Sequence, residues 1–510
     1  MLNSLAASWA APAVSGQARR STWRERAWPL GAAAIAALLG LATLQNGPSP
    51  ALIGWLIYAV GALAILYRPR YGVYLIVFFS LLGDGVLMPW YPFNKNLSSA
   101  ESLFFLQDAL IVSPLEIYLV LTLASWLVRG ALTRRLRLYR GPLFWPAAVF
   151  IGFIALGLAY GIGRHGNVNI ALWEARPIFY LPLMLVLAGN LLETPAQVNT
   201  LLWAAMTALW LEGVVGNAYF AFTLRGDLYR VEAITEHSAA IHMNTLFVLL
   251  IASWLLRASR RKRVLLLFMA PSVLLTYLVT QRRAAFLTLA IALALIAIVL
   301  FRANRRSFAL IVPPLAVLGV IYLVAFWHST GALGLPAQAI RSVIGSDTTA
   351  RYESSNAYRV IENINNSFTV HAAPLTGVGF GHKFYMIVPQ PDISFFVWWE
   401  YITHNSVIWI WMQAGVGGFL SLLFLVGWAI LVGTRALWRM PGGDLRAVAL
   451  TATLYVIMHF TYAYVDMSWD TQSMVYLGAM MGILGGLEAM VKSKPAVGAG
   501  APGPVEAPWL

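Results

Sequence analysis

Apolar stretches of membrane-crossing length recur along almost the whole chain, and the short loops between them carry most of the charge. A hydrocarbon core needs roughly 20 apolar residues per crossing helix. It offers nothing to an unpaired backbone amide, so such stretches must fold as helices rather than as open sheet. The sequence therefore predicts an all-α, polytopic integral membrane protein with about 12–14 transmembrane helices. The segments read this way are 28–44, 51–67, 71–88, 108–127, 143–163, 177–192, 198–224, 238–256, 264–280, 284–301, 307–327, 405–433, 447–465 and 472–490. With 59% hydrophobic and only 11% charged residues, no soluble fold accommodates the chain.

The loops sort by charge. Lys and Arg near membrane segments favour the cytoplasmic side, and strict alternation puts most of the 35 of them on one side without a break. Five domains follow: a basic cytoplasmic N-terminus (1–27), eleven helices (28–327), a long extracytoplasmic loop expected to carry short helices (328–403), three further helices (404–490) and a disordered, Pro/Gly/Ala-rich cytoplasmic tail (491–510). The first apolar segment follows Arg19, Arg20, Arg24 and Arg26 and is read as an anchor rather than a cleaved leader. The net charge of +14 is spread over these loops, with no aromatic-interleaved basic groove, so nucleic acid is not an expected partner. The absence of cysteine excludes disulfides and thiolate metal sites.

Arg282 and Arg283 break the charge pattern. They form the tip of a tight hairpin between two apolar runs whose outer ends are basic (Arg257–Arg263 and Arg302–Arg306), so the tip faces outward. Guanidinium groups beside hydrocarbon on the disfavoured side are costly unless an anion meets them, and phosphate fits the planar guanidinium fork. The plainer alternative is an interfacial anchor that snorkels to headgroups.

Three other outward features can carry chemistry. Tyr358-Arg359-Val360 precedes Gly377-Val378-Gly379-Phe380-Gly381, whose alternate glycines allow tight turns or close backbone approach. No strand and helix frame them as in a dinucleotide site. His404-Asn405, at a helix entering the membrane, offers an imidazole that can accept a proton near neutral pH, or a histidine merely bonded at a helix start. Arg176 and Glu174 flank a helix expected to begin at Pro177; they either pair with each other or meet a ligand. The carboxylates show no acidic pair with metal-ligand spacing, so no metal and no cofactor is expected.

Together these features resemble the O-antigen ligase and polymerase superfamily of bacterial membrane glycosyltransferases. His404, Asn405, the nine residues 406–414 and Gly415-Val416-Gly417-Gly418 match that family's histidine signature in full. Gln281-Arg282-Arg283-Ala284-Ala285 corresponds to its arginine hairpin, with Arg283 at the matching position, though the family's serines and glycine are missing. Arg359 upstream of the glycine run corresponds to its loop arginine. The likeness covers roughly residues 264–433.

The resemblance implies a GT-C-like membrane fold in the bacterial inner membrane with its site on the periplasmic side. It implies inverting, metal-independent transfer of a glycan from an undecaprenyl-diphosphate carrier to an acceptor hydroxyl, on the lipid A-core or on another glycan. Arg283 and Arg359 would stabilise the departing diphosphate, supported by Arg282 and Arg176. His404 would take the acceptor's proton, Asn405 would help orient it, and Gly377, Gly379 and Gly381 would line the substrate site. A polymerase would use the same chemistry on a different acceptor. A transporter or flippase is the alternative of another class, to be recognised by broken helices and ionisable groups at the midplane.

Overall fold

In a computed structural model the protein is described from residue 49 to 492, except 135, 229, 230, 232, 330, 331, 345–349 and 395. The expected first helix (28–44), the N-terminus before it and the tail beyond 492 lie outside the described residues. Within them the chain is all-α. Eleven helices are long and apolar enough to cross a membrane, and two shorter apolar helices join them.

In chain order the helices are α1 (Pro50–Tyr67), α2 (Arg70–Leu82), α3 (Pro114–Leu132), α4 (Phe144–Gly163), α5 (Val168–Leu191), α6 (Pro195–Ala218, continued by a π turn at Tyr219–Thr223), α7 (Ala239–Leu255), α8 (Arg260–Val279), α9 (Arg283–Ala303), α10 (Arg305–Phe326), α11 (Leu335–Ile344), α12 (Ala350–Ala372), α13 (Ser406–Arg439), α14 (Gly443–Val465) and α15 (Thr471–Lys492). Local signals explain several starts. α3 and α6 each open on a capping box followed by proline, Ser113/Glu116 and Thr194/Gln197, which satisfies amides that the helix itself leaves unpaired.

The core forms where small residues let backbones touch. α15 runs along α5, with Gly478 and Gly482 against the carbonyls of Leu181 and Leu185. α13 packs on both α14 and α4. At the periphery, α10 buries none of its residues, as expected of a helix whose surroundings are lipid.

Three expectations are corrected. No helix begins at Pro177: α5 starts nine residues earlier and passes through both Pro177 and Pro182, since neighbouring helices can tolerate an interior proline in a membrane bundle. The segment expected at 108–127 lies instead at Pro114–Leu132, because the capping box sets its start. The helix expected at 71–88 stops at Leu82, where Asp84 turns the chain by accepting the amides of Val86 and Leu87.

The segment 328–403 carries α11 and α12. α12 runs for 23 residues with its polarity reversed. Glu362, Asn365, Asn366 and Thr369 are buried, while Val360, Ile364 and Phe368 are exposed.

Candidate functional site

Four chain segments distant in sequence meet at one end of the bundle: the residues before α7, the α8–α9 hairpin, α12 with the start of α13, and the end of α14. The other ends of α7, α8, α13 and α14 meet separately, where Lys262 pairs with Asp444 at 3.2 Å.

The hairpin tip is built by Gln281, which takes a left-handed backbone conformation (φ +60°) and reaches the carbonyls of Leu228 and Val231 with its side-chain amide. Arg282 is the N-cap of α9 and Arg283 its first residue. The first turn contains no acidic side chain, and Arg282 makes no side-chain cap. Unpaired amides at a helix N-terminus already favour an anion; two arginines there add to the same demand. Arg282 donates to the carbonyl of Thr235 at 3.3 Å, and Arg283 donates to Asn356 at 3.2 Å.

α12 supplies the floor. On a helix, residues three apart share a face, so Asn356, Arg359 and Glu362 line up toward the bundle. Glu362, about 1% exposed, holds His404 twice. It accepts the His404 backbone amide at 3.0 Å, and its other oxygen lies 3.1 Å from Nδ1. Tyr358 sets its ring edge-on to His404, with centroids 5.6 Å apart. Asn405 caps α13 by accepting the amide of Ile408 at 3.0 Å.

Arg359 reaches Asp466 at the end of α14 at 3.4 Å. The same carboxylate accepts Nδ1 of His237 at 3.0 Å, and the Tyr462 hydroxyl approaches it at 3.4 Å. Burial pushes the Asp466 carboxyl up, but His237, Arg359 and His404 outweigh it and hold the group well below the usual carboxylate range. Asp466 is therefore an ionised anchor that ties α12, α14 and the residues before α7 together. The rings of His237 and His404 lie 6.4 Å apart, centroid to centroid. Nε of Arg282 and Nε of Arg359 are buried without an acceptor among the described residues, an expensive arrangement for a donor.

The remaining sequence candidates lie elsewhere. Arg176 does not pair with Glu174. It forks onto Glu116, which also receives the Tyr180 hydroxyl, and reaches Asn96 and the Ile111 carbonyl. Glu174 instead accepts the amide of Gly381 at 2.7 Å. Gly377, Gly379 and Gly381 all have positive φ and press against the backbones of α13, α4 and the start of α5. Gly415 breaks α13 (φ +67°, ψ −172°), which frees the Met412 carbonyl to accept Val378 and lets the Val416 amide reach Pro374. The two glycine motifs are halves of one backbone clasp that fixes the loop to the bundle. Glu362, His237 and Asp466 were not singled out from the sequence as site residues. The i, i+3 spacing of Arg359 and Glu362 is a signal for the first; nothing local marks the other two.

Among the described residues, no three His, Asp or Glu side chains converge as a metal site would require. No protein-family model matches this chain, and no curated protein matches it.

Proposed function

We propose that the chain is a membrane glycosyltransferase that moves a glycan from an undecaprenyl-diphosphate carrier to an acceptor hydroxyl, with the chemistry of an O-antigen ligase, at the periplasmic face of a bacterial inner membrane. The observation that carries this reading is the convergence of Arg282, Arg283 and Arg359 with a carboxylate-held His404 at one end of the bundle.

In this reading the acceptor oxygen attacks the anomeric carbon from the face opposite the diphosphate, and the configuration inverts. Negative charge builds on the departing diphosphate. Guanidinium groups already fixed in a partly buried site stabilise it without reorganising, and the two Nε–H donors lacking acceptors are the kind of group such an anion satisfies. His404, with Nδ1 engaged by Glu362, offers Nε2 to the acceptor hydroxyl. Glu362 orients the ring and stabilises the imidazolium that results. A GT-C-like arrangement, the lipid A-core acceptor and the inner-membrane orientation belong to this proposal, as does metal-independence.

A transport reading draws on the break in α13 at Gly415 and on Glu212, His242 and His459, all three buried within the helices. They are enclosed by packing, whereas the arginines and His404 are partly open at one end.

The test is reconstitution of the purified protein in liposomes with a carrier-linked glycan and alternative acceptors. The reading expects acceptor glycosylation that survives EDTA. Loss of activity in EDTA with restoration by magnesium would remove the arginines from their assigned role. Carrier translocation with no glycosylated product would favour transport.

A further inference from the structure

The site contains a second histidine–carboxylate pair that the reading above leaves without a task. His237 and His404 are built alike: each engages a buried carboxylate through Nδ1, at 3.0 Å to Asp466 and 3.1 Å to Glu362. In each, Nε2 has no hydrogen bond among the described residues. Both rings are partly open, with side chains 35% and 20% exposed. The two pairs differ in their surroundings. Glu362 serves His404 alone, through ring and backbone. Asp466 serves His237 and Arg359 together, and Arg282 bonds the carbonyl of Thr235, two residues before His237. His237 thus shares its carboxylate with Arg359 and follows the backbone that Arg282 holds, whereas His404 has a carboxylate of its own.

We propose that His237 is the general acid of the transfer, donating a proton from Nε2 to the diphosphate oxygen as it leaves, while His404 acts as the base. This rests on the glycosyl-transfer reading. The step balances without a further reactant. The acceptor O–H gives its proton to His404 Nε2 while its oxygen bonds to the anomeric carbon. The bond from that carbon to the diphosphate oxygen breaks with its electron pair going to oxygen, which takes the proton from His237. One turnover leaves His404 charged and His237 neutral, and a single proton passing between the neighbouring rings through solvent resets both.

The charged groups that face His237 are Asp466, Arg359, Arg282 and His404. Tyr462 bonds the His237 carbonyl, Tyr358 borders His404, and Glu236, Asp84 and Asp470 lie behind the neighbouring backbone. The requirement for a charged His237 belongs to the donor-bound enzyme and appears in kcat.

The experiment is the pH profile of kcat for glycan transfer by the reconstituted protein. The wild type is expected to be bell-shaped, with the acid limb from His404 and the alkaline limb from His237. His237→Gln is expected to fall about 10²-fold and lose the alkaline limb while keeping the acid one. An unchanged alkaline limb in a folded His237→Gln protein overturns the proposal. If that variant does not fold, His237→Lys decides. Its ammonium stays charged to higher pH, so it moves the alkaline limb upward if position 237 is the acid and leaves it fixed if the role is structural. A wild type inactive on every carrier-diphosphate glycan would sink the functional reading itself, a result distinct from an active wild type whose profile ignores position 237.

Discussion

Arg176 and Arg359 both meet a carboxylate in a partly buried setting, yet they are built for different purposes. Arg176 has four of its five N–H groups engaged: Glu116 takes its fork, and Asn96 and a backbone carbonyl take two more. A guanidinium so engaged has little left for a ligand, and its contacts tie α3 to α5. Arg359 has one long contact, to Asp466, and a buried Nε without an acceptor. The partner carboxylate is itself shared with His237. Incomplete satisfaction, more than charge or exposure, separates a candidate anion ligand from a structural arginine.

That contrast can be broken by substitution. The largest effect is expected at the proposed base: His404→Ala should lower transfer per folded molecule by about 10²–10⁴-fold, and because it strands the buried Glu362 carboxylate it should also lower the melting temperature. Near-normal turnover by the purified variant would remove His404 from the chemistry. Arg359→Ala should cost roughly 10²–10³-fold in kcat, the scale of losing one fixed donor to a developing anion. A large fall in melting temperature with intact turnover would instead make Arg359 a second Arg176. Arg176→Ala is the mirror case. It strands Glu116 in a half-buried position and should destabilise by about 2–3 kcal/mol, while turnover of the folded fraction stays within about threefold; selective loss of turnover would return it to the site.

The smallest effect concerns Glu236, which borders the same end of the bundle. Burial first, then the Asp84 and Asp470 charges, push its carboxyl up to about 8. A carboxyl raised on folding is stabilising in its protonated form, so its share of stability is present at acidic pH. That share is lost as pH climbs from the ordinary carboxylate range to about 8. Glu236→Gln should flatten this decline, seen as a melting temperature a few degrees above wild type at alkaline pH and equal to it at acidic pH. Equal curves throughout would show that Asp84 carries the proton instead.

The sequence was legible where the solvent writes the rule. Hydrocarbon demands long apolar helices, so most spans are found within a few residues, and the basic loops mark which helix ends share a side. Proline misled at position 177, because the soluble-helix rule for proline loses force where neighbouring helices surround the backbone. α12 was opaque for a different reason. Its polar face is inward, and a pattern read with apolar residues inside does not reveal that the face shared by Arg359 and Glu362 is the one turned to the bundle. The pairing of His237 with Asp466, 229 residues apart, exists only through the packing of α14 on α7 and could not be read locally. The glycine motifs were visible, but their reciprocal clasp needs the broken turn at Gly415.

α12 carries one more consequence. A helix that turns Val360, Ile364 and Phe368 outward among Asn363, Ser367 and His371, bordering an open furrow of about 600 Å³, suits the boundary where acyl chains meet headgroups. The floor of the candidate site then sits at the level of the headgroups. A prenyl-borne sugar would arrive by lateral drift, never surrendering its tail to water. A nitroxide at Ser367 should accordingly be relaxed more strongly by dissolved oxygen than by a water-borne nickel chelate, and the reverse order would lift that floor into the aqueous phase.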